Sequence, residues 1–239
     1  MRTKVLFMSL VLGCLWSCQQ DETIEQTDGQ TIKFTSVVIG DETLSRASGS
    51  TSIDVISMRT ELDDKFTVFD LKKDTRSWGE FSKKSEVFFY AHYPRLPESV
   101  ASNETRVLEG GTNDYLFGKA KAVAGQQQVC LQFKRVMAPL IVEVLDGDGR
   151  SYQGDIEVSA LIKNKGVQNL KDGSIVILDE KKYTAFNRFD NGVKQALNLL
   201  PQRIEKGTPF QVRLSNGVTY TATVGEAVQL NSGESYKAV

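Results

Sequence analysis

The chain is short of the residues that most enzyme chemistry needs. Its 239 residues include one histidine, His92, and three cysteines, Cys14, Cys18 and Cys130. A zinc site takes three or four Cys or His ligands, which this inventory cannot assemble. A nucleophile–base–acid triad would have to be built around His92 alone, and the sequence shows no such convergence. No glycine-rich phosphate loop or dinucleotide fingerprint is present. There is no basic block either: 29 Lys and Arg stand against 30 Asp and Glu, which sets nucleic acid aside as a partner. Beyond the first residues, no window of about 12 residues carries a helical apolar stripe. These absences exclude metal hydrolases, nucleotide enzymes, nucleic-acid binders and helical bundles. A non-enzymatic chain without metal or cofactor is the expectation.

The N-terminus is informative. Arg2 and Lys4 precede an almost unbroken apolar run from Val5 to Trp16, which stops at Ser17-Cys18. The run is too short for the roughly 20 apolar residues of a spanning helix and reads as a secretory leader over residues 1–17. The small Ser17 before Cys18 resembles a bacterial lipobox, in which the thiol is lipidated and the leader removed. Acyl chains contribute about 0.8 kcal/mol per buried methylene, and more than one gives stable anchoring. The mature chain is therefore expected to begin at Cys18 and to hang from a membrane by its first residue. An ordinary cleaved signal peptide with an incidental cysteine is the alternative. With Cys14 removed and Cys18 lipidated, Cys130 has no disulfide partner and is read as a small packed residue.

Residues 18–30 are polar and acidic, a solvated tether. After them apolar residues recur with period two, as in Ile32-Lys33-Phe34, Glu86-Val87-Phe88-Phe89-Tyr90, Ile141-Val142-Glu143-Val144 and Phe210-Gln211-Val212-Arg213-Leu214. Short runs of this kind between Gly, Asn, Asp and Pro indicate an all-β sandwich protein. Lys181 to Leu200 is the least regular stretch and leaves room for a short helix. The strand candidates divide near Ala124-Gly125-Gln126, giving an N-terminal sandwich over 31–125 and a C-terminal one over 126–239. One turn fixes a register. A two-residue Asn216-Gly217 loop would throw the apolar residues of its two strands onto opposite faces. A three-residue loop Ser215-Asn216-Gly217, with Gly217 left-handed, pairs Leu214 with Val218 and puts them on one face.

The remaining candidates are weak. His92, in Phe88-Phe89-Tyr90-Ala91-His92-Tyr93-Pro94, reads as a strand-end histidine on a sheet surface. Asp146-Gly147-Asp148-Gly149 begins like a calcium loop, but Gly149-Arg150-Ser151 breaks the ligand spacing and leaves a tight turn. Asp63-Asp64 and Asp179-Glu180 have no supporting constellation and read as solvated faces. Leu44 to Ser50 is small and polar with one basic residue, Arg46, the kind of segment that proteases nick.

Several pieces in order resemble the fimbrillin-like family of Bacteroidales, lipoprotein-derived pilus subunits and related cell-adhesion proteins. They are the lipobox leader, Ile32-Lys33-Phe34, Ser45-Arg46-Ala47, the Phe88 to Pro94 run, Val129 to Ala138, Leu200-Pro201-Gln202, and Leu230-Asn231-Ser232-Gly233-Glu234-Ser235-Tyr236. The resemblance implies two tandem transthyretin-like Greek-key β-sandwich domains. It also implies cleavage after Arg46, removal of the first strand, and filling of the vacated groove by a strand from a neighbouring subunit. The exchangeable strand would be 32–39, with Ile32, Phe34 and Val38 as its inward set. Gln19-Gln20-Asp21-Glu22 is similar to the acidic stretch that follows the lipidated cysteine in surface-exported lipoproteins of that phylum. Three features depart from the pattern: Arg135 stands where histidine is frequent, the chain is shorter than many pilus subunits, and it stops three residues after Tyr236 with no evident tail to donate.

The leading expectation is a surface lipoprotein of the outer membrane, a pilus component or accessory subunit acting in cell adhesion. Its partners would be other pilus subunits or surface proteins, the membrane through lipid on Cys18, and a host or bacterial surface ligand. The alternative is a monomeric lipid-anchored module that binds glycan or protein, with Trp78, Tyr90, Tyr93 and Tyr115 as candidate sugar platforms.

Overall fold

The computed structural model describes residues 29–39, 53–81, 84–152, 154–178, 181–186 and 196–239. The leader, Cys18, the tether as far as residue 28, Arg46 with its surrounding segment, and Asp179-Glu180 lie outside the described residues. The first part of the chain forms β1 (Thr31–Ile39), β2 (Val55–Thr60), β3 (Thr67–Asp70), β4 (Arg76–Ser77), a 3₁₀ turn (Trp78–Phe81), β5 (Glu86–Tyr93), the short helix α1 (Glu98–Ala101), β6 (Thr105–Glu109), β7 (Leu116–Val123) and β8 (Gln128–Arg135). The rest forms β9 (Ala138–Val142), β10 (Ile156–Lys163), β11 (Lys165–Asn169), β12 (Ile175–Ile177), β13 (Lys181–Phe186), β14 (Leu197–Leu199), β15 (Arg203–Ile204), β16 (Pro209–Leu214), β17 (Thr219–Thr223), β18 (Val228–Gln229) and β19 (Tyr236–Ala238). The protein is all-β. The stretch that left room for a helix contains strands β13 and β14.

A seven-stranded sheet runs in the order β3-β2-β5-β7-β8-β1-β4. Alternation decides its inner face: Val87, Phe89 and Ala91 of β5 and Val129, Leu131 and Phe133 of β8 are buried together. Full burial of Phe89 or Phe133 contributes on the order of 2–3 kcal/mol each. Gly118 of β7 makes room for Phe133, since a Cβ there would stand 2.8 Å from the ring. A second core gathers Leu140, Val158, Ala160, Ile162, Leu197, Leu199 and Val212. It lies among the sheets β13-β10-β16-β17, β14-β9-β19 and β15-β18. Strand β8, which the division at 125/126 assigns to the second part, puts its apolar residues into the first core. Strand β6, from the first part, pairs with β11 over five positions, from Lys165↔Glu109 to Asn169↔Thr105. Leu108, Val136, Met137 and Leu200 form a small cluster beside this joint.

The β16–β17 hairpin has the three-residue loop. Arg213 pairs with Thr219, the Leu214 N–H donates to the Val218 carbonyl at 2.8 Å, and Gly217 takes φ +86°. The shared face is only half covered: Val212 and Leu214 are each 8% exposed, whereas Val218 and Tyr220 keep 42% and 55%. Register put these residues on one side, but the core ends at β16.

Candidate functional site

Strand β1 is the element on which a strand-exchange function would turn. It runs parallel to β8, in register from Lys33↔Gln128 to Ile39↔Lys134. Its other edge meets β4 at two positions only, Thr31↔Ser77 and Ile32↔Arg76. From Lys33 onward that edge has no strand partner among the described residues. The N-terminal end is fastened further: the Trp78 N–H donates to the Gln30 carbonyl at 2.9 Å, and the Lys33 N–H donates to the Gln127 carbonyl at 2.9 Å. The Trp78 indole N–H donates to the Gln126 carbonyl at 2.8 Å.

The side chains of β1 follow the pleat. Ile32 and Phe34 are buried. The Phe34 ring meets Phe69 edge-to-face at a centroid distance of 5.3 Å, and Phe89 at 4.9 Å. Such pairs add about 0.5–1.5 kcal/mol each beyond area burial. Val38 has the same parity and pairs with the buried Phe133, but is itself 36% exposed. Ile32 and Phe34 therefore carry the inward packing, and Val38 does not join them.

A polar clamp that no local pattern announces holds β4 in place. Arg76 reaches Asp63 at 3.2 Å and Glu80 at 2.6 Å, and its guanidinium lies 5.0 Å from the centre of the Phe81 ring. Asp63 also accepts the Thr60 N–H at 2.7 Å, so it is a partly buried hub and not a solvated carboxylate. Burial alone would raise its pKa. The hydrogen bonds from Arg76 and Thr60, together with the charge of Arg76, outweigh burial and hold it below the usual range.

Other sequence candidates fall elsewhere. His92 is fully buried, not on a sheet surface. Phe66 and Phe117 flank its ring at 5.0 and 5.3 Å, covering the outer face of β5 at this end. Its Nε2 lies 2.9 Å from the Leu170 carbonyl, which can only accept, so the proton sits on Nε2. Burial first, then the charges of Arg106 and Arg59, push its pKa down to about 3. Cys130 is exposed and not packed, since alternation turns it outward between Val129 and Leu131. Asp146 closes a turn, accepting from the N–H groups of Asp148 and Arg150 at 2.9 and 2.8 Å. Among the described residues, no group of three or more His, Cys, Asp or Glu side chains gathers to hold a metal. No described helix is long and apolar enough to cross a membrane. Arg135 is engaged by Asp114 at 3.0 Å. Trp78, the best candidate sugar platform, is buried at 3% exposure, which removes it from any surface ring cluster.

Comparison with known proteins bears on this architecture. A family model described as fimbrillin-like matches residues 57–238; β1 precedes the match. The crystal structure of a candidate cell adhesion protein from Bacteroides thetaiotaomicron is 32% identical, covers 87% of this chain and 91% of its own, and gives a TM-score of 0.70. A candidate cell adhesion protein from Bacteroides ovatus shares the fold at 16% identity and TM-score 0.61, covering 87% of this chain and 90% of its own. Another from Bacteroides uniformis does so at 14% and 0.57, covering 77% and 84%. No curated protein matches the chain. The family match spans most of the described strands of both cores, and the chain belongs to the fimbrillin-like family, whose members are fimbrial and adhesive structural proteins of the cell surface and not enzymes.

Proposed function

We propose that this protein is a lipid-anchored surface subunit of pili or an accessory to them, acting in cell adhesion by strand exchange at β1. Lipid on Cys18 holds the precursor in the outer membrane, and residues 18–30 act as its tether. Proteolysis after Arg46 separates β1 from the rest of the chain. A strand from a neighbouring subunit then lies along β8 and sends an apolar side chain into the place of Phe34. No cofactor takes part, and the partners are other pilus subunits and the surfaces that they touch.

One observation carries this reading. β1 has a continuous ladder on one edge, a two-position clasp on the other, and two core residues at one end. Main-chain hydrogen bonds of that kind are sequence-independent, so any extended strand can supply them, while the Phe34 slot selects the side chain. The core loses two buried side chains when β1 leaves, which drives capture of a replacement.

Mass spectrometry of protein taken from the native surface tests the reading. Polymeric material should begin at Ala47. Assembled material that retains lipidated Cys18 throughout overturns strand exchange and leaves a tethered, non-polymerising relative.

A further inference from the structure

One edge of the second core is unguarded. Strand β17 ends the sheet β13-β10-β16-β17, and all five of its residues are exposed. It meets β16 without a bulge, from Pro209↔Thr223 to Arg213↔Thr219. The Leu214 N–H donates to the Val218 carbonyl at 2.8 Å, and the Val224 N–H to the Thr208 carbonyl at 3.0 Å. Val218, Tyr220, Ala222 and Val224 thus turn their backbone groups towards β16, and those of Thr219, Thr221 and Thr223 point to the open edge. No described strand takes them there. Natural sheets protect such edges with lysine, proline or a bulge. The opposite edge strand of this sheet, β13, begins Lys181-Lys182. β17 has none of these devices: from Leu214 to Gly225 the chain carries no charged residue and no proline.

The strand also fits itself. Val218-Thr219-Tyr220-Thr221-Ala222-Thr223-Val224 reads nearly alike from either end. A two-fold axis through Thr221, at right angles to the sheet, sets Thr221 opposite Thr221 of a second copy. Thr219 then faces Thr223, and Val218 faces Val224. Each threonine pair exchanges two backbone hydrogen bonds, about six over the three pairs. Tyr220 falls opposite Ala222, a large side chain beside a small one, at the closer non-hydrogen-bonded spacing. The axis keeps like faces together, so the threonines share one side. On the other, Val218 and Tyr220 extend the row begun by Leu214 and Val212 and lose part of their 42% and 55% exposure. No like charges meet across this edge.

We propose that two copies of this chain join edge to edge along β17, merging two four-stranded sheets into one. The pairing lies in the second core, away from β1, and stands whether or not β1 is exchanged. An edge of this length buries less than the roughly 1,200 Å² of a standard interface, so a dissociation constant of about 1–100 μM is expected.

Sedimentation equilibrium of protein made without residues 1–17, with Cys18→Ser and Cys130→Ser, tests the proposal and should show monomer and dimer exchanging in that range. T221K sets one lysine directly opposite another and should weaken the dimer about tenfold or more, with the urea midpoint unchanged because the side chain is exposed. Cysteines read the register independently. T221C should cross-link to itself under mild oxidation, since the paired Cα atoms stand about 5.5 Å apart, within disulfide reach. T223C alone should not, because it faces position 219. A monomer at about 1 mM, a dimer that T221K leaves equally tight, or T223C linking as readily as T221C overturns the proposal. So does T221C linking a cysteine-bearing peptide of residues 29–39 in preference to a second copy.

Discussion

Replacing Phe34 by alanine tests whether β1 is a packed plug or an ornament on the sheet. The side chain is 4% exposed, so its transfer from water is worth on the order of 2–3 kcal/mol. The slot beneath it is walled by Phe69 and Phe89 on β3 and β5, which cannot collapse without moving the sheet, so a cavity term adds to the loss. About 4 kcal/mol is expected, within the range measured for buried phenylalanines. Thr35→Ala, on the exposed side of the same strand, should cost less than about 0.5 kcal/mol. Urea unfolding of protein made without residues 1–17 can be followed at Trp78, then the sole tryptophan, which sits in the same core as Phe34. In trans, a peptide of residues 29–39 should restore protein cut after Arg46, and its Phe34→Ala form should bind about two to three decades more weakly, at 1.4 kcal/mol per decade. A cost below about 1 kcal/mol for Phe34→Ala, or one no larger than that of Thr35→Ala, refutes the reasoning.

Two further outcomes are expected. His92 resists protonation in the fold, with a pKa of about 3 against an ordinary 6.5. Above pH 6.5 it is neutral in folded and unfolded chain alike and adds no pH dependence. Below that, the unfolded chain takes up a proton that the folded one refuses, so stability falls by about 1.4 kcal/mol per pH unit. As the only histidine, it should account for a loss of about 2 kcal/mol between pH 6.5 and 5 in chemical denaturation, and H92Q should flatten that limb; an unchanged slope in H92Q refutes the burial argument. Cys130, exposed and free, should react with a thiol-specific aromatic disulfide in the folded protein as fast as in a short peptide, and slow modification would show that its face is covered.

What the sequence made legible was local. Period-two runs marked the strands, and the spacing around Gly217 fixed the β16–β17 register, because a hairpin's pairing is set by its own loop. Pleat parity was equally readable on β1 for Ile32 and Phe34. Which faces receive a cover was not. Cys130 and His92 both lie on outward-facing positions of their strands, yet one is bare and the other sits under Phe66 and Phe117. That difference arises from chain segments far away in sequence. The parallel pairing of β1 with β8 and the β4 clasp have the same origin, since no local pattern specifies a partner strand. Arg106 gave no signal for a further reason: a strand arginine normally extends to solvent, and only the joint with β11 encloses it.

That joint has a mechanical meaning. Two cores linked by a bare connector would turn independently, like beads on a thread, when a surface fibre is pulled. Here a strand that precedes β8 is spliced onto one that follows β9, so parting the halves means breaking five paired positions and the Leu108–Met137 contact cluster together. In the pilus role proposed above, that splice would carry load from one core to the other through paired backbone and not through a bare connector.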